Sequence, residues 1–164
     1  MSAYERLPHI DALVMDIDGV LTDGTVTWTS DGGESKTYSF EDIMGLSRAR
    51  AAGIVLGLIS GEDGPLVERL SKKIGATFVA SGCKDKAQAL QEFSRSSGTP
   101  MERTAYIGDD VNDLEALALA GVSVAPASAQ TVVKESVALV LERPGGRGAV
   151  RQFVEIVLAA RTCG

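Results

Sequence analysis

Short apolar runs alternate with helical patterns along this chain, and this alternation constrains the fold more than any other feature. The runs have the length and composition of buried strands and cover residues 12–15, 54–59, 77–80, 104–107, 122–125 and 138–141. Between them, apolar side chains recur at helical spacing over residues 41–52, 65–74, 84–96, 112–120 and 149–160. Strands that alternate with helices through short loops predict a parallel sheet covered by helices on both faces.

The predicted architecture is therefore an α/β fold with a doubly wound, Rossmann-like parallel sheet. The chain has 164 residues, which suits one domain spanning residues 1–164 and is enough to bury a core. The segments that follow the first and third strands are short, so we expect no large cap domain. One segment, residues 25–40, does not belong to the alternating pattern.

Residues 25–40 are predicted to form a β-hairpin flap directly after the first strand. Two alternating runs rich in β-branched and aromatic residues flank the turn sequence Asp31-Gly-Gly. Trp28, Tyr38 and Phe40 give this flap an apolar face that has no evident core of its own. The face packs either on the parent domain or on another subunit, and the sequence leaves both possibilities open.

Charge and hydropathy exclude several classes of partner. The formal net charge of −6 argues against a nucleic-acid surface, although a metal ion can still make one site attractive to an anionic substrate. No apolar run approaches the ~20 residues of a membrane helix, and residues 1–8 lack the apolar region of a signal peptide. We therefore expect a cytoplasmic protein without membrane contact, in which Cys83 and Cys163 are free thiols.

The first strand ends on two carboxylates, Asp16 and Asp18, and Gly19 then breaks the strand. Strand alternation puts both side chains on one side, where they repel each other unless a cation or a proton lies between them. The carboxyl ends of the strands are also where open α/β sheets place their ligands. Taken alone, such a pair is more often two solvated acids before a turn, so a functional interpretation depends on the rest of the chain.

Polar side chains follow three other predicted strands. Ser60 follows the second strand, Lys86 opens the helix after the third, and Asp109 and Asp113 follow the fourth. These strand ends converge on one edge of a parallel sheet. Carboxylates suit Mg²⁺, a carboxylate can form an aspartyl-phosphate, and a hydroxyl with an ammonium can hold phosphate oxygens. The set therefore predicts metal-assisted phosphoryl transfer.

These residues resemble the four ordered motifs of the haloacid dehalogenase superfamily. The motifs are Asp16-Ile-Asp-Gly-Val-Leu-Thr, Ser60-Gly, Lys86 and Gly108-Asp-Asp-Val-Asn-Asp, and their order and spacing match over nearly the whole chain. A closer resemblance is to the small, cap-less phosphatases of 3-deoxy-2-keto sugar acid phosphates. These act on octulosonate 8-phosphate or nonulosonate 9-phosphate, precursors of lipopolysaccharide or sialic acid-like sugars. Residues 18–24, the flap and the Gly-rich stretch 145–151 carry this closer resemblance.

The resemblance implies a role for each residue of the first and last motifs. It makes Asp16 the nucleophile and Asp18 the general acid and then the general base. It also implies that Asp16, Asp109 and the backbone carbonyl of Asp18 bind Mg²⁺, while Asp113 supports that cluster. Proton transfer by Asp18 agrees with the chemistry, because a leaving alkoxide needs a proton and the attacking water must lose one.

The two middle motifs are implied to bind the substrate. Ser60 and Lys86 would hold the phosphoryl group, with Gly61 and Glu62 beside them. At Glu62 the sequence departs from the octulosonate enzymes, which usually carry a basic residue there, and resembles the nine-carbon branch. Glu62 can accept hydrogen bonds from sugar hydroxyls, or it can be a solvated acid at a helix N-terminus.

Three further residues receive no firm role. Asp42 departs from the usual Asp-Gly-x-Gly pattern of the family, so its function stays open. Arg147 and Arg151 can reach a substrate carboxylate, or they can be solvated charges.

The resemblance also implies a homotetramer in which neighbouring subunits border each active site, with a small phosphorylated sugar acid as the other partner.

Two other classes of function remain to be weighed. One is a receiver-like domain switched by phosphorylation, although its acceptor Asp would end the third strand, where this chain has Ser81. The other is a non-catalytic assembly subunit of the same fold, which the complete set of catalytic positions argues against.

Overall fold

The computed structural model describes residues 2–163, which fold into a six-stranded sheet, a two-stranded hairpin and helices on both sheet faces. The strands are β1 (Ala12–Met15), β2 (Thr27–Trp28), β3 (Glu34–Ser35), β4 (Val55–Ile59), β5 (Phe78–Ala80), β6 (Thr104–Ile107), β7 (Val122–Ala125) and β8 (Leu139–Val140). The α-helices are α1 (Ala3–Arg6), α2 (Phe40–Ala51), α3 (Pro65–Ile74), α4 (Lys86–Ser97), α5 (Leu114–Leu119), α6 (Thr131–Ser136) and α7 (Ala149–Cys163).

The large sheet is parallel and has the strand order β5-β4-β1-β6-β7-β8. Met15, the last residue of β1, lies opposite Leu58 of β4 and Ile107 of β6. Numbered along the chain, the order of the sheet strands is 3-2-1-4-5-6, whereas receiver domains have the order 2-1-3-4-5. This topology excludes the receiver interpretation. It also places the switch point, where ligands bind in such sheets, between the ends of β1 and β6.

Apolar side chains cover both faces of the sheet, as a parallel sheet requires. All four residues of β1 are buried, and their alternation divides them between two cores. Leu13 and Met15 join the core beneath α2, α3 and α7, while Ala12 and Val14 join the core beneath α4, α5 and α6. The predicted doubly wound α/β fold is therefore confirmed.

Local sequence signals set the bounds of several helices. Helix α3 begins at Pro65, whose ring suits the first helical turn, and ends before Gly75 in the left-handed conformation. Helix α4 begins one residue after Asp85, whose carboxylate accepts the backbone N–H of Gln88 at 2.8 Å. This cap places Lys86 at the first position of α4, close to the carboxyl edge of the sheet.

The structure corrects the predicted flap and adds two helices. Only residues 27–28 and 34–35 pair as strands, and Phe40 begins α2 instead of ending the flap. Tyr38 packs against the core, whereas Trp28 and Phe40 are 76% and 80% exposed. The parent domain therefore covers only the Tyr38 part of the apolar face. Helices α1 and α6 were not predicted, because each is too short to show an apolar period.

None of the helices in residues 2–163 combines the length and the apolar character needed to cross a membrane.

Candidate active site

Asp16 lies directly after β1 and is 6% exposed. Its backbone N–H donates to the carbonyl oxygen of Ile107 at 3.0 Å, which continues the pairing of β1 with β6. Its Oδ1 accepts the backbone N–H of Ile17 at 2.7 Å. The carboxylate is thus held at the carboxyl edge of the central strand by both its backbone and its side chain.

Lys86 joins two carboxylates in the interior. Its Nζ lies 2.8 Å from Oδ2 of Asp16 and 2.8 Å from Oδ1 of Asp113, and its side chain is 1% exposed. Burial alone would lower the pKa of Lys86, but attraction to Asp16 and Asp113 raises it above its usual range. Lys86 therefore remains an ammonium and fixes the position of the Asp16 carboxylate.

Asp113 is the most extensively hydrogen-bonded side chain of the site. Besides Lys86, its Oδ1 accepts the hydroxyl of Tyr106 at 2.7 Å. Its Oδ2 accepts the backbone N–H groups of Asp109 at 3.0 Å and Asp110 at 3.3 Å. Asp113 thereby supports the loop that carries Asp109.

Asp109, after β6, has an oxygen without a partner. Its Oδ1 is buried and accepts no hydrogen bond from residues 2–163. The carboxylate faces Gly19, where a Cβ would lie only 1.9 Å from Oδ2, and Gly19 has φ of +83°. Position 19 therefore requires glycine both for its backbone conformation and for the approach of Asp109.

These acids fit a divalent cation. Asp16, Asp109 and Asp113 each offer one oxygen within 4.8 Å of the others, and Mg²⁺ prefers carboxylate oxygens. Since Asp113 is occupied by its hydrogen bonds, the unpartnered Asp109 and its neighbour Asp16 are the available ligands. Burial, reinforced by the neighbouring carboxylates, raises the pKa of Asp16 to about 6 and that of Asp109 to about 7. A cation would relieve the repulsion that contributes to both shifts.

Asp18 faces the flap. The Nζ of Lys36 lies 2.8 Å from its Oδ1 and 2.9 Å from its Oδ2. The turn behind Asp18 is closed by Thr22, whose Oγ1 accepts the backbone N–H groups of Gly19 and Gly24, each at 3.2 Å. Asp16 and Asp18 therefore have different partners, and such different environments can give two carboxyls different roles.

Ser60, Gly61 and Glu62 follow β4 on the same edge. Ser60 is buried, and its Oγ accepts the backbone N–H of Glu62 at 3.1 Å. Its backbone N–H donates to Ala80 of β5 at 2.8 Å, and its carbonyl accepts the N–H of Cys83 at 2.9 Å. The sheet and the β5–α4 loop thus fix the start of this turn, while Gly61 and Glu62 remain exposed.

A cleft of about 310 Å³ opens at this edge. Its lining residues are Asp16, Asp18, Gly24, Gly61, Glu62, Asp109, Asp110, Val111 and Asn112. Three of the predicted site residues are not part of this lining: Ser60, Lys86 and Asp113. They lie behind it, on the side of the protein interior, and hold lining residues in place.

Neither of the two candidate arginines lies in the cleft. Arg147 is exposed, and its nearest acid is Asp23 at 3.8 Å. Arg151 pairs with Glu155 at 2.6 Å on the surface of α7. Asp42, left without a role by the sequence, is buried and accepts the backbone N–H groups of Gly148 at 3.1 Å and Arg151 at 3.0 Å.

The Gly-rich loop before α7 packs on the turn that follows β1. A Cβ on Gly145 would lie 1.8 Å from the carbonyl oxygen of Gly19. The backbone N–H of Gly146 donates to the carbonyl of Val20 at 2.9 Å. Backbone thus contacts backbone here, which only glycine permits at position 145.

Sequence reasoning missed Lys36 and Tyr106 as parts of the site. Lys36 is a charged residue in a predicted exposed hairpin, and no spacing rule links it to Asp18. Tyr106 occupies an inward position of β6, where an aromatic residue is ordinarily core. Only the partner of its hydroxyl, Asp113, shows that it belongs to the acidic network.

The chain resembles known proteins over nearly all of its length. Residues 76–151 match the family model of the haloacid dehalogenase-like hydrolases. The 3-deoxy-D-manno-octulosonate 8-phosphate phosphatase KdsC of Haemophilus influenzae is 35% identical over 157 residues, which cover 96% of this chain and 87% of that protein. The KdsC protein of Yersinia pestis is 32% identical over 157 residues, covering 96% and 84%.

Solved structures of phosphatases of the same kind are also similar to this chain over nearly its whole length. The 3-deoxy-D-manno-octulosonate 8-phosphate phosphatase of Moraxella catarrhalis, in complex with magnesium ion, phosphate ion and KDO, is similar with a TM-score of 0.94 and 32% identity. That comparison covers 98% of this chain and 92% of the other. The cobalt-bound form of the Haemophilus influenzae enzyme has a TM-score of 0.93 and 35% identity, covering 96% and 92%.

Proposed function

This chain belongs to the haloacid dehalogenase-like hydrolases, within the family of the 3-deoxy-D-manno-octulosonate 8-phosphate phosphatases, and on that premise we propose that it hydrolyses the phosphomonoester of a 3-deoxy-2-keto sugar acid. The observation that carries the proposal is the buried triad of Asp16, Lys86 and Asp113 beside the unpartnered Oδ1 of Asp109. It combines a carboxylate held in place as the nucleophile with a second acid, Asp109, whose oxygen can bind a metal ion. Both lie at the edge where such sheets bind their substrates.

Mg²⁺ is the proposed cofactor. Asp16, Asp109 and the backbone carbonyl of Asp18 would hold it, with Asp113 fixing the Asp109 loop through two backbone N–H groups. When bound, the ion supplies positive charge that offsets the repulsion between the carboxylates and the phosphate. The related structure from Moraxella catarrhalis contains magnesium and phosphate, which supports this assignment.

In the first step, we propose that an oxygen of Asp16 attacks phosphorus. The bond from Asp16 to phosphorus forms, the bond from phosphorus to the sugar oxygen breaks, and Asp18 gives a proton to that leaving oxygen. Lys86 keeps Asp16 in place through its 2.8 Å contact and supplies positive charge near the transferred group. Ser60 orders the Gly61-Glu62 turn that borders the phosphoryl group.

In the second step, water attacks the phosphorus of the aspartyl-phosphate. Asp18 takes a proton from that water, phosphate leaves, and Asp16 is restored as a carboxylate. The direct test is rapid acid quenching of the enzyme with substrate, followed by mass spectrometry. A phosphoryl group on Asp16, absent from Asp16→Asn, is the expected result, and turnover without any trapped adduct on the chain would contradict the covalent route.

Two substrates within the class have separate support. Octulosonate 8-phosphate is named for the relatives at 32% to 35% identity, and one related structure contains KDO. Nonulosonate 9-phosphate is favoured by Glu62, an acid in the cleft at the position where the octulosonate enzymes usually carry a basic residue. Comparing kcat/KM for both substrates, in the wild type and in Glu62→Arg, decides between them. If the octulosonate is the substrate, Glu62→Arg should keep or improve its kcat/KM.

We also propose a homotetramer in which neighbouring subunits border each active site. The support is the exposed apolar surface of the flap and the start of α2. Trp28 and Phe40 are more than three-quarters exposed there, and Met44 is 56% exposed. A second copy of the chain would cover this surface and narrow the open cleft.

A further inference from the structure

The flap is tied to the catalytic turn by one partly buried ion pair. Lys36 directly follows β3, and its Nζ contacts both carboxylate oxygens of Asp18, at 2.8 and 2.9 Å. The Lys36 side chain is only 8% exposed, although the hairpin strands on either side of the turn are exposed. A lysine with a flexible stem usually extends into solvent, so this inward position indicates a specific interaction.

The ion pair lies at the boundary between two clefts. The cleft containing Asp16 and Asp109 shares Asp18, Gly24 and Glu62 with a second cleft of about 210 Å³ under the flap. Lys36 and Asp18 both line that second cleft. A phosphomonoester whose phosphorus is beside Asp16 has room for its organic part past Asp18, in the flap cleft. Its leaving oxygen would then lie close to the Asp18 carboxyl.

Contacts within the flap hold Lys36 in this place. The indole Nε1 of Trp28 donates to Oε2 of Glu34 at 3.0 Å, and Trp28 is paired with Glu34 across the hairpin. Tyr38, on the other side of Lys36, packs against the core. The lysine is thus anchored from both directions along the chain.

We propose that Lys36 is a positioning residue that holds the Asp18 carboxyl where it meets the leaving oxygen of the substrate. Because the Lys36 ammonium contacts both oxygens of Asp18, it restricts rotation of the carboxyl about its Cβ–Cγ bond. The flap in turn sets the position of the ammonium. This inference rests on the proposed function, because it acts through the proton transfer assigned to Asp18. Misplacement of a catalytic group by about 1 Å can cost on the order of 100-fold in rate.

Leaving-group chemistry separates this role from a general structural one. A sugar alkoxide is a poor leaving group and needs the proton from Asp18, whereas 4-nitrophenolate leaves without protonation. The second step needs Asp18 for either substrate, so the leaving group matters only in the first step, which kcat/KM reports. Loss of Asp18 positioning therefore lowers kcat/KM for the sugar acid phosphate far more than kcat/KM for 4-nitrophenyl phosphate. A damaged fold slows both reactions by the same factor.

The experiment measures kcat and KM on both substrates, with Mg²⁺, for the wild type, Lys36→Met, Lys36→Arg and Lys72→Met. Lys72 is an exposed lysine on α3, so Lys72→Met makes the same charge change away from the site. We expect Lys36→Met to lower kcat/KM on the sugar acid phosphate by about 100-fold and on the aryl phosphate by less than about tenfold. Lys36→Arg should recover most of the loss, and Lys72→Met should match the wild type.

A double-mutant cycle tests whether Lys36 acts through Asp18. In an Asp18→Asn background, Lys36→Met should change kcat/KM on the sugar acid phosphate by less than about twofold, against about 100-fold in the wild-type background. If Lys36→Met does not fold, as judged by circular dichroism, Lys36→Gln replaces it and is held to the same ratio.

Equal losses of kcat/KM on the two substrates, no loss at all, or full additivity with Asp18→Asn would each overturn the inference. In those cases the wild type is active, so the proposed function stands. A wild type inactive on both substrates would overturn the proposed function and this inference together.

Discussion

At the scale of single residues, the site depends on one ammonium shared by two acids. Lys86 lies 2.8 Å from both Asp16 and Asp113, and the three side chains are 9% exposed or less. Two carboxylates with one ammonium leave a negative charge in the interior, next to the unpartnered Asp109. This surplus is costly without a cation and makes the site suited to binding one.

Asp16→Asn should abolish turnover and leave the fold intact. The amide keeps the shape of the side chain but is a poor nucleophile and no longer attracts a cation, so we expect kcat to fall by about 1,000-fold or more. Phosphate release at saturating substrate measures the loss, and circular dichroism measures the fold. Substantial turnover by a well-folded Asp16→Asn protein would remove Asp16 from the role of nucleophile.

The metal-free protein should lose stability as the pH rises from about 5 to about 8. The Asp109 carboxyl has a pKa of about 7 in the folded protein, against an ordinary value of 3.8. Between these values the folded state holds a proton that the unfolded state has released, so a rise in pH favours unfolding. Asp16, with a pKa raised to about 6, acts in the same direction.

Urea unfolding in excess chelator, repeated across this pH range, measures the effect. Mg²⁺ should stabilise the protein more at pH 8 than at pH 6, because protons compete with it for the carboxylates. Asp109→Asn is the control and should flatten the pH slope while weakening the response to Mg²⁺. A slope that Asp109→Asn leaves unchanged would assign the effect to other groups.

A site residue was predictable from the sequence when it directly follows a buried strand. Asp16, Asp18, Ser60 and Asp109 all follow buried strands, and the parallel topology brings such positions together. Lys36 lies in a hairpin whose placement depends on tertiary packing, so its contact with Asp18 was not predictable. Ser60 and Lys86 were expected to line the phosphate pocket, and the structure places them behind the cleft.

At the scale of elements, Asp42 joins α2 to α7. It is 1% exposed and accepts two backbone N–H groups at the start of α7, those of Gly148 and Arg151. Burial raises its pKa even though both hydrogen bonds favour the ionised form. The carboxylate therefore acts as a long-range cap for a helix whose own sequence, Gly-Ala-Val, offers no capping side chain.

Asp42→Ala should destabilise the protein by about 2–3 kcal/mol, because it leaves two buried N–H groups without a partner. Glu41→Ala is the matched control: the neighbouring acid pairs with Arg143 at 2.7 Å on the exposed surface, so its loss should cost less than about 1 kcal/mol. Urea denaturation of both variants at one pH provides the comparison. Equal losses would mean that the buried hydrogen bonds to α7 contribute no more than an exposed ion pair.

The elements that the sequence failed to predict share a physical cause. Helices α1 and α6 have four and six residues, so a period of 3.6 cannot be recognised in them. Phe40 was assigned to the flap because aromatic residues favour strands. The Ser39 side chain instead accepts the backbone N–H of Glu41 at 3.1 Å and starts α2 one residue earlier than predicted.

At the scale of the whole molecule, the flap surface predicts assembly. Trp28→Asp should dissociate the proposed tetramer, because it puts a charge into an apolar surface that a neighbouring subunit would cover. Light scattering at micromolar concentration measures the mass, and kcat/KM on the sugar acid phosphate should fall with it. Gln91→Asp, an exposed change on α4, adds the same single negative charge away from the flap and is the control. A wild-type monomer with full kcat/KM would contradict both the assembly and its role.

The position of β1 in the middle of the sheet has a consequence for synthesis on the ribosome. The segments that surround this strand are all translated after it. They are its hydrogen-bonding neighbours β4 and β6, and residues 145–146, on whose backbone its following turn rests. Until those segments emerge, the nascent chain exposes an apolar strand with both edges open, which is a template for aggregation. The carboxylate of Asp16, the proposed nucleophile, is therefore translated well before its surroundings and reaches its folded environment only after residue 146 has left the exit tunnel.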